Sequence, residues 1–156
     1  MSDAERRFAA LDQANTSNPL VSGFLVPKKS LMQVLVVEDH DDSRFVLTNL
    51  LEHWGCTVAS APTLQNGLNS LEHERFDAIV SDIALPDGTG YALVSEAKRR
   101  NKNVLAIALT GYISPGDRKI GKLSGFDHHL SKPFDCQLLR SVLLAPSGLK
   151  RASPQA

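Results

Sequence analysis

The sequence predicts an α/β fold, a (βα)5 doubly wound parallel sheet of five strands. From residue 33 to about residue 145, short β-rich runs alternate with longer stretches of helical period, the pattern of repeated βα units. Three of the runs are almost wholly apolar, as strands covered by helices on both faces should be. The residues with chemistry in them stand directly after separate runs: Glu38-Asp39, Asp82, Thr110 and Lys132. In an open parallel sheet the carboxyl ends of the strands converge on one crevice, so residues far apart in sequence can meet there.

The strands expected are Val34 to Val37, Thr57 to Ser60, Ala78 to Ser81, Val104 to Leu109, and Asp127 to Leu130. After the first, Asp41-Asp42-Ser43 offers acceptors for the free N–H groups of a helix. Its apolar stripe is read as Val46, Leu50, Leu51 and Trp54, and Gly55 stops it. Thr63, after Pro62, opens a second helix striped by Leu64, Leu68 and Leu71; Thr89 caps a third carrying Leu93, Val94 and Ala97. Lys98-Arg99-Arg100 closes the third, where positive charge complements the helix dipole. A short, glycine-containing fourth helix is expected from Ser114-Pro115 to Gly121 or Gly125, since proline is tolerated in a first turn. Asp135 caps the fifth, striped by Leu138, Leu139, Val142 and Leu143 before Pro146.

Three segments follow: a leader over 1–32, the folded domain over 33–145, and a small, polar, basic tail over 146–156. In the leader, Ala4, Phe8 and Leu11 share one face of a short helix, while Asn15 to Pro19 and Pro27 to Ser30 read as linker. Unstructured chain and a helix docked on the domain or on a second copy, giving a homodimer, both stay open.

A length of 156 residues with 42% hydrophobic content fits one domain with a real core. Lys+Arg 17 against Asp+Glu 17 gives a net charge of zero, which removes any global field for steering onto nucleic acid or an anionic membrane. No stretch approaches the length of a membrane span, and the N-terminus lacks the layout of a secretory signal. Cys56 and Cys136 are too few and too far apart for a disulfide framework. The expectation is a cytoplasmic protein with neither nucleic-acid nor membrane partners.

Asp82 ends the run Asp77-Ala-Ile-Val-Ser-Asp82 and precedes Ile83-Ala-Leu-Pro-Asp-Gly-Thr-Gly90. Clustered with Glu38 and Asp39, it forms a carboxylate trio that repels itself unless a hard divalent cation shares the charge. With Mg²⁺ and Lys132 included, the local sum is about zero. Four motifs, Val-Glu38-Asp39, Ser-Asp82-Ile-Ala-Leu-Pro, Leu-Thr110-Gly and Ser-Lys132-Pro-Phe, together resemble the receiver domain of bacterial response regulators over residues 33 to 145.

That resemblance implies a flavodoxin-like receiver fold of sheet order 2-1-3-4-5. It also implies phosphoryl transfer from a histidine kinase or a His-phosphotransfer protein onto Asp82, with Mg²⁺ as cofactor. Asp39 and Asp82 would bind the metal directly, with the backbone carbonyl of Ala84, and Glu38 through a metal-bound water. Lys132 and the Thr110 hydroxyl would contact phosphoryl oxygens. Such a protein phosphorylates and dephosphorylates only itself and is not an enzyme in the turnover sense.

The resemblance further implies a switch in which Thr110 moves and the side chain at the middle of the last strand follows. Here that side chain is His129, where the family usually has tyrosine or phenylalanine. The switch is therefore expected to be weaker, pH-sensitive, or read differently by its partner. Output would be protein contact through the face of the fourth helix, fifth strand and fifth helix, including Tyr112, His129 and Phe134. No output domain fits after residue 146, so a stand-alone receiver, or one excised from a hybrid kinase, is expected.

Other polar residues have plainer readings. Asp87 in Pro86-Asp87-Gly88 reads as a turn residue, and Asp41 and Asp42 as caps. His40, His53 and His73 lack partners at metal-ligand spacing and read as surface histidines; His128 reads as solvated or an edge contact. Cys56 and Cys136 read as small packing residues, Trp54 as core or boundary. Among rival functions, an aspartate-nucleophile phosphatase of the haloacid dehalogenase type needs an acid two residues past the nucleophile, where this chain has Ala84. A flavin site would want a phosphate loop where Glu38-Asp-His-Asp-Asp42 stands. A receiver-like interaction module without phosphorylation is the remaining alternative.

Overall fold

The computed structural model describes residues 31–111 and 125–145, together with Leu20, Val21, Phe24, Leu25, Pro115, Gly116 and Lys119. Strands β1 (Gln33–Val37), β2 (Thr57–Ala61), β3 (Ala78–Asp82), β4 (Leu105–Thr110) and β5 (His128–Ser131) form one sheet. Every neighbouring pair is parallel and the order is 2-1-3-4-5, as expected. Helices α1 (Asp41–His53), α2 (Leu64–His73), α3 (Gly90–Arg100) and α4 (Cys136–Leu143) connect or follow the strands.

Period-two alternation along the strands divides the core into two layers. Val34, Val36, Val80, Ile107, Leu109 and Leu130 meet Leu47 and Leu51 of α1 and Leu139 and Leu143 of α4. On the other face Leu35, Val37, Ile79, Ala106 and Ala108 meet Leu71 of α2, Leu93, Val94 and Ala97 of α3, and Phe126. With both faces covered, nothing polar is required of β1, β3 or β4 except at their ends.

Helix starts follow the sequence with one exception. Thr63 accepts from Asn66 N at 3.1 Å, Thr89 from Ala92 N at 3.4 Å, and Asp135 from Gln137 N at 2.8 Å and Leu138 N at 3.3 Å. In α1, however, the cap position is His40, which makes no side-chain cap hydrogen bond, so Asp41 and Asp42 are first-turn residues. Their charge acts on the helix dipole instead of closing free N–H groups. The stripe of α1 is also rotated by one residue: Leu47 is 3% exposed and Val46 is 60% exposed. Adjacent apolar residues leave the phase of a 3.6-residue period ambiguous by 100°. Trp54 is partly buried against the first core layer, and the Arg140 guanidinium lies 6.0 Å from its ring centroid.

Four polar residues hold the fold together. Asp87 is not merely a turn residue: its carboxylate accepts from Leu64 N at 2.8 Å and Gln65 N at 2.9 Å, capping α2 from a distant loop. Those two backbone bonds hold its carboxyl below the usual range. Lys98 leaves the helix end to donate to Val104 O at 2.6 Å and to Asp127 Oδ2 at 3.0 Å. Asp127 also accepts from Ala106 N at 2.8 Å, and Asp77 accepts from Gln33 N at 2.8 Å, so the amino-terminal edge of the sheet is laced by two aspartates. His128 is 4% exposed, buried where solvent was expected. Cys56 is buried, which raises its thiol pKa, whereas Cys136 is exposed at the first position of α4.

Residues 1–30 form a separate unit, in which Leu20–Val21 pairs antiparallel with Phe24–Leu25 between the two linker stretches. The Ala4, Phe8, Leu11 face, the end of the expected fourth helix, Tyr112 and the 146–156 tail lie outside the described residues. Among the described residues, no helix is long and apolar enough to cross a membrane.

Candidate functional site

The register of the sheet assembles the site. Val37 pairs with Ser81 and Asp82 with Leu109, so Glu38 and Asp39 leave β1 beside the end of β3, and Thr110 follows one residue later on β4. Thr110 pairs with Ser131, and its carbonyl accepts from Lys132 N at 2.7 Å, which carries Lys132 onto the same rim. Its ammonium closes the arrangement, donating to Glu38 Oε2 at 2.6 Å and to Asp82 Oδ2 at 2.9 Å. Residues 94 and 50 positions apart in sequence thus share one cation.

Burial grades the three carboxylates. Glu38 is 2% exposed, Asp82 13% and Asp39 31%. Glu38 is therefore the fixed, desolvated member, and Asp39 the one most open to an incoming ion. Burial works against the charged form of Lys132, but hydrogen bonds to Glu38 and Asp82 and their charge outweigh it, so its pKa is raised. The lysine is firmly an ammonium at any physiological pH. Thr110 is buried at 8% exposure.

Asp82 is oriented on every side. Its Oδ1 accepts from Ala84 N at 3.2 Å, and its carbonyl accepts from Ser81 Oγ at 2.8 Å. After it, Ala84–Leu85 pairs antiparallel with Gly88–Thr89 in a tight turn, and Gly90 N donates to Ile83 O at 2.8 Å. Gly90 then starts α3 against the back of the site. A Cβ there would collide with the Asp82 carbonyl and lie 3.1 Å from Ser81 Oγ. We expect Gly90→Ala to displace Asp82 and to cost about 2 kcal/mol by overpacking, measured by urea denaturation. Gly111, where an added Cβ would meet nothing within 4 Å, is the tolerant comparison.

Two contributors escaped the sequence. Arg44 donates from Nη1 to the Glu38 carbonyl at 2.9 Å and also pairs with Asp41, so it pins the acidic loop from α1. A backbone acceptor leaves no mark in sequence; only the i,i+3 pairing with Asp41 was readable. His40, read as a surface residue, does lie on the surface but has Nδ1 3.3 Å from both Glu38 Oε1 and Asp39 Oδ1. Its hydrogen bond to Glu38 and the charge of Asp39 raise its pKa. His129 sits on β5 with its ring 5.6 Å from Phe126, which in turn meets Tyr91 edge-on at 5.9 Å.

An open hollow of about 380 Å³ adjoins the rim, walled by Val46, Leu47, Leu109, Pro133 and Phe134 with Glu38 and Lys132 at its margin. Phe45, 70% exposed, precedes Val46 on α1.

The family model described as the response regulator receiver domain matches residues 34–144. The chain belongs to the response regulator receiver family. Several known proteins align with this region. The uncharacterized 14.6 kDa protein in the sodA1 3' region of Leptolyngbya boryana is 38% identical over 114 residues, 71% of this chain and 87% of that protein. The KDP operon transcriptional regulatory protein KdpE of Escherichia coli is 35% identical, covering 72% of this chain but 50% of its own length. For the sensor histidine kinase CheAY of Helicobacter pylori the match is 32%, over 14% of that protein. This receiver thus spans only part of several relatives it matches. Among solved structures, the chemotaxis response regulator CheY4 of Vibrio cholerae superposes with a TM-score of 0.66 at 30% identity, over 72% of this chain and 96% of that one.

Proposed function

We propose that this receiver accepts a phosphoryl group on Asp82 from the phosphohistidine of a histidine kinase or His-phosphotransfer protein and signals by protein contact. The observation that carries it is Lys132 Nζ held between Glu38 Oε2 and Asp82 Oδ2 at the carboxyl rim of the sheet. A carboxylate nucleophile needs a neighbouring cation to take up the charge of an incoming phosphoryl group. Asp82 is the right carboxylate because it is oriented by Ala84 N and partly open, whereas Glu38 is sealed.

The donor set fits a hard divalent cation. Glu38, Asp39 and Asp82 bring three negative charges to one rim against the single positive charge of Lys132, an imbalance of two that one Mg²⁺ would cancel. Asp39, Asp82 and the Ala84 carbonyl would hold it, with Glu38 acting through water. When bound, the metal supplies charge neutralisation of the phosphoryl oxygens. The chain's own residues do the rest: Asp82 Oδ attacks phosphorus, the N–P bond to the donor histidine breaks, and the imidazole leaves with the electron pair. Lys132 then shifts its hydrogen bonds toward the transferred group, and Thr110 donates from the other side. Hydrolysis by water returns Asp82, which limits the signal.

Thr110 and His129 are the proposed switch, and His129 and the partly buried Phe134 belong to the proposed output face of the fourth helix, fifth strand and fifth helix; Phe45 and Val46 are further apolar residues exposed on α1. A cytoplasmic setting is the matching proposal. The missing acid at Ala84 speaks against a phosphatase, and the complete set of site residues against an inert module. The test is to incubate the protein with acetyl phosphate and Mg²⁺ and weigh it intact. One added phosphoryl group, absent when EDTA replaces Mg²⁺, is expected; an unchanged mass with acetyl phosphate and with a phosphorylated histidine donor would sink the reading.

A further inference from the structure

Asp87 takes part in no step above, yet the loop on which Asp82 depends is held by it. After Asp82 the chain folds into a hairpin that pairs Ala84 with Thr89 and Leu85 with Gly88. Its open end serves the site, where Ala84 N donates to Asp82 Oδ1 at 3.2 Å. Its tip, Pro86 and Asp87, is exposed. So short a ribbon does not stay ordered in water by itself, and here the tip is held from outside. Asp87 Oδ1 accepts from Leu64 N at 2.8 Å and Oδ2 from Gln65 N at 2.9 Å, in bonds that reach 23 and 22 positions back along the chain. The Leu64 side chain covers Gly88 so closely that a Cβ there would displace it. Helix α2 is a firm support, because at Gly67 an added Cβ would lie 3.0 Å from Val37 Cγ2 and 3.1 Å from Leu93 Cδ1. Val37 ends β1, directly before Glu38. The hairpin and the strand that delivers the acidic pair are thus referred to one helix.

We propose that Asp87 is a positioning residue for phosphoryl transfer: by clamping the hairpin tip to α2, it fixes Ala84 N and so the direction in which Asp82 Oδ1 presents itself to phosphorus. The Asp82 carboxylate is gripped once at each oxygen, Oδ2 by Lys132 Nζ at 2.9 Å and Oδ1 by Ala84 N. With the tip released, Ala84 is no longer held in place and only the lysine grip remains, about which the carboxylate can turn away from in-line attack. The effect on rate rests on the phosphoacceptor reading, whereas the effect on the order of the hairpin does not. A plain helix cap would stabilise α2 and do no more, and the two roles separate by experiment.

The experiment uses the full chain, labelled with nitrogen-15, as wild type, Asp87→Ala, Asp87→Asn and Thr63→Ala. Thr63 accepts from Asn66 N at 3.1 Å at the same end of α2, so Thr63→Ala weakens the helix but leaves the hairpin tied. Both alanine variants should unfold at a lower urea concentration than wild type. Backbone order parameters of Ala84, Leu85, Gly88 and Thr89 should fall from the rigid value of about 0.85 to below about 0.6 in Asp87→Ala and stay rigid in Thr63→Ala. The initial rate of labelling by acetyl phosphate with Mg²⁺ should drop at least about tenfold in Asp87→Ala and keep its wild-type value in Thr63→Ala. Asp87→Asn should lie between, since its amide oxygen still accepts one of the two bonds, and it carries the same comparison should Asp87→Ala not fold. Wild-type order at Ala84 in Asp87→Ala overturns the proposal, as does a labelling rate there equal to that of wild type or of Thr63→Ala. An unlabelled wild type counts against the phosphoacceptor reading instead, and the order parameters then decide the clamp by themselves.

Discussion

Asp82→Asn is expected to abolish phosphoryl acceptance while leaving the protein folded. The substitution keeps the shape of the side chain, and the amide oxygen can still accept from Lys132 Nζ, now 2.9 Å from Asp82 Oδ2. What it removes is the negative charge and the nucleophilic oxygen. No other carboxylate can substitute: Glu38 is 2% exposed and occupied by Lys132, and Asp39 makes no contact with the lysine among those observed. With one carboxylate fewer, mutual repulsion at the rim also falls. The variant should therefore be no less stable than wild type without Mg²⁺, and Mg²⁺ should raise its melting temperature less. Intact mass and thermal melts with and without Mg²⁺ measure both parts. Retention of one phosphoryl group by the variant would move the acceptor elsewhere.

The second large effect belongs to Lys132→Met, which keeps the apolar stem and deletes the charge. The buried Glu38 then loses its partner, and breaking a buried pair is strongly destabilising because the remaining charge is left uncompensated. Since Lys132 is 27% exposed, the loss should be at the low end, about 2 kcal/mol at neutral pH. Its sign with pH follows from linkage. Glu38 and Asp82 raise the Lys132 pKa, so the stability that this pairing adds is fully present below the ordinary lysine value and is lost as pH rises through the folded one. The deficit of the variant is therefore full at neutral pH and closes in alkali. Urea denaturation from about pH 7 to about pH 12 measures this. A deficit flat across that range would mean the lysine acts through packing alone. Phosphoryl labelling by acetyl phosphate should fall sharply in the same variant.

Much of this was legible in the sequence because strand ends are. An apolar run followed by a charged residue fixes both the strand and the side of the sheet on which that residue emerges. Glu38, Asp39, Asp82, Thr110 and Lys132 were found in this way, and the register then brings them to one rim. What sequence could not resolve were facts of phase and of distance. In α1, Val46 and Leu47 are both apolar, and only the packing chooses Leu47. Asp87 reads as a turn, since its partners Leu64 and Gln65 lie more than twenty positions away. His40 has no ligand spacing along the chain; its relation to Glu38 and Asp39 comes from the bend that leaves β1 and enters α1. Arg44 is invisible as a site residue because it grips a backbone carbonyl.

The lacing at the opposite edge decides which way the protein can yield. Asp77 ties β1 to the approach of β3, while Asp127 and Lys98 tie β4, the approach of β5 and the end of α3 into one knot. A stack of pages stitched along its spine can fan only at the fore-edge, and here the fore-edge carries Thr110 and Lys132. For the proposed switch these stitches predict a displacement confined to the carboxyl rim, with the Asp77 and Asp127 bonds unchanged.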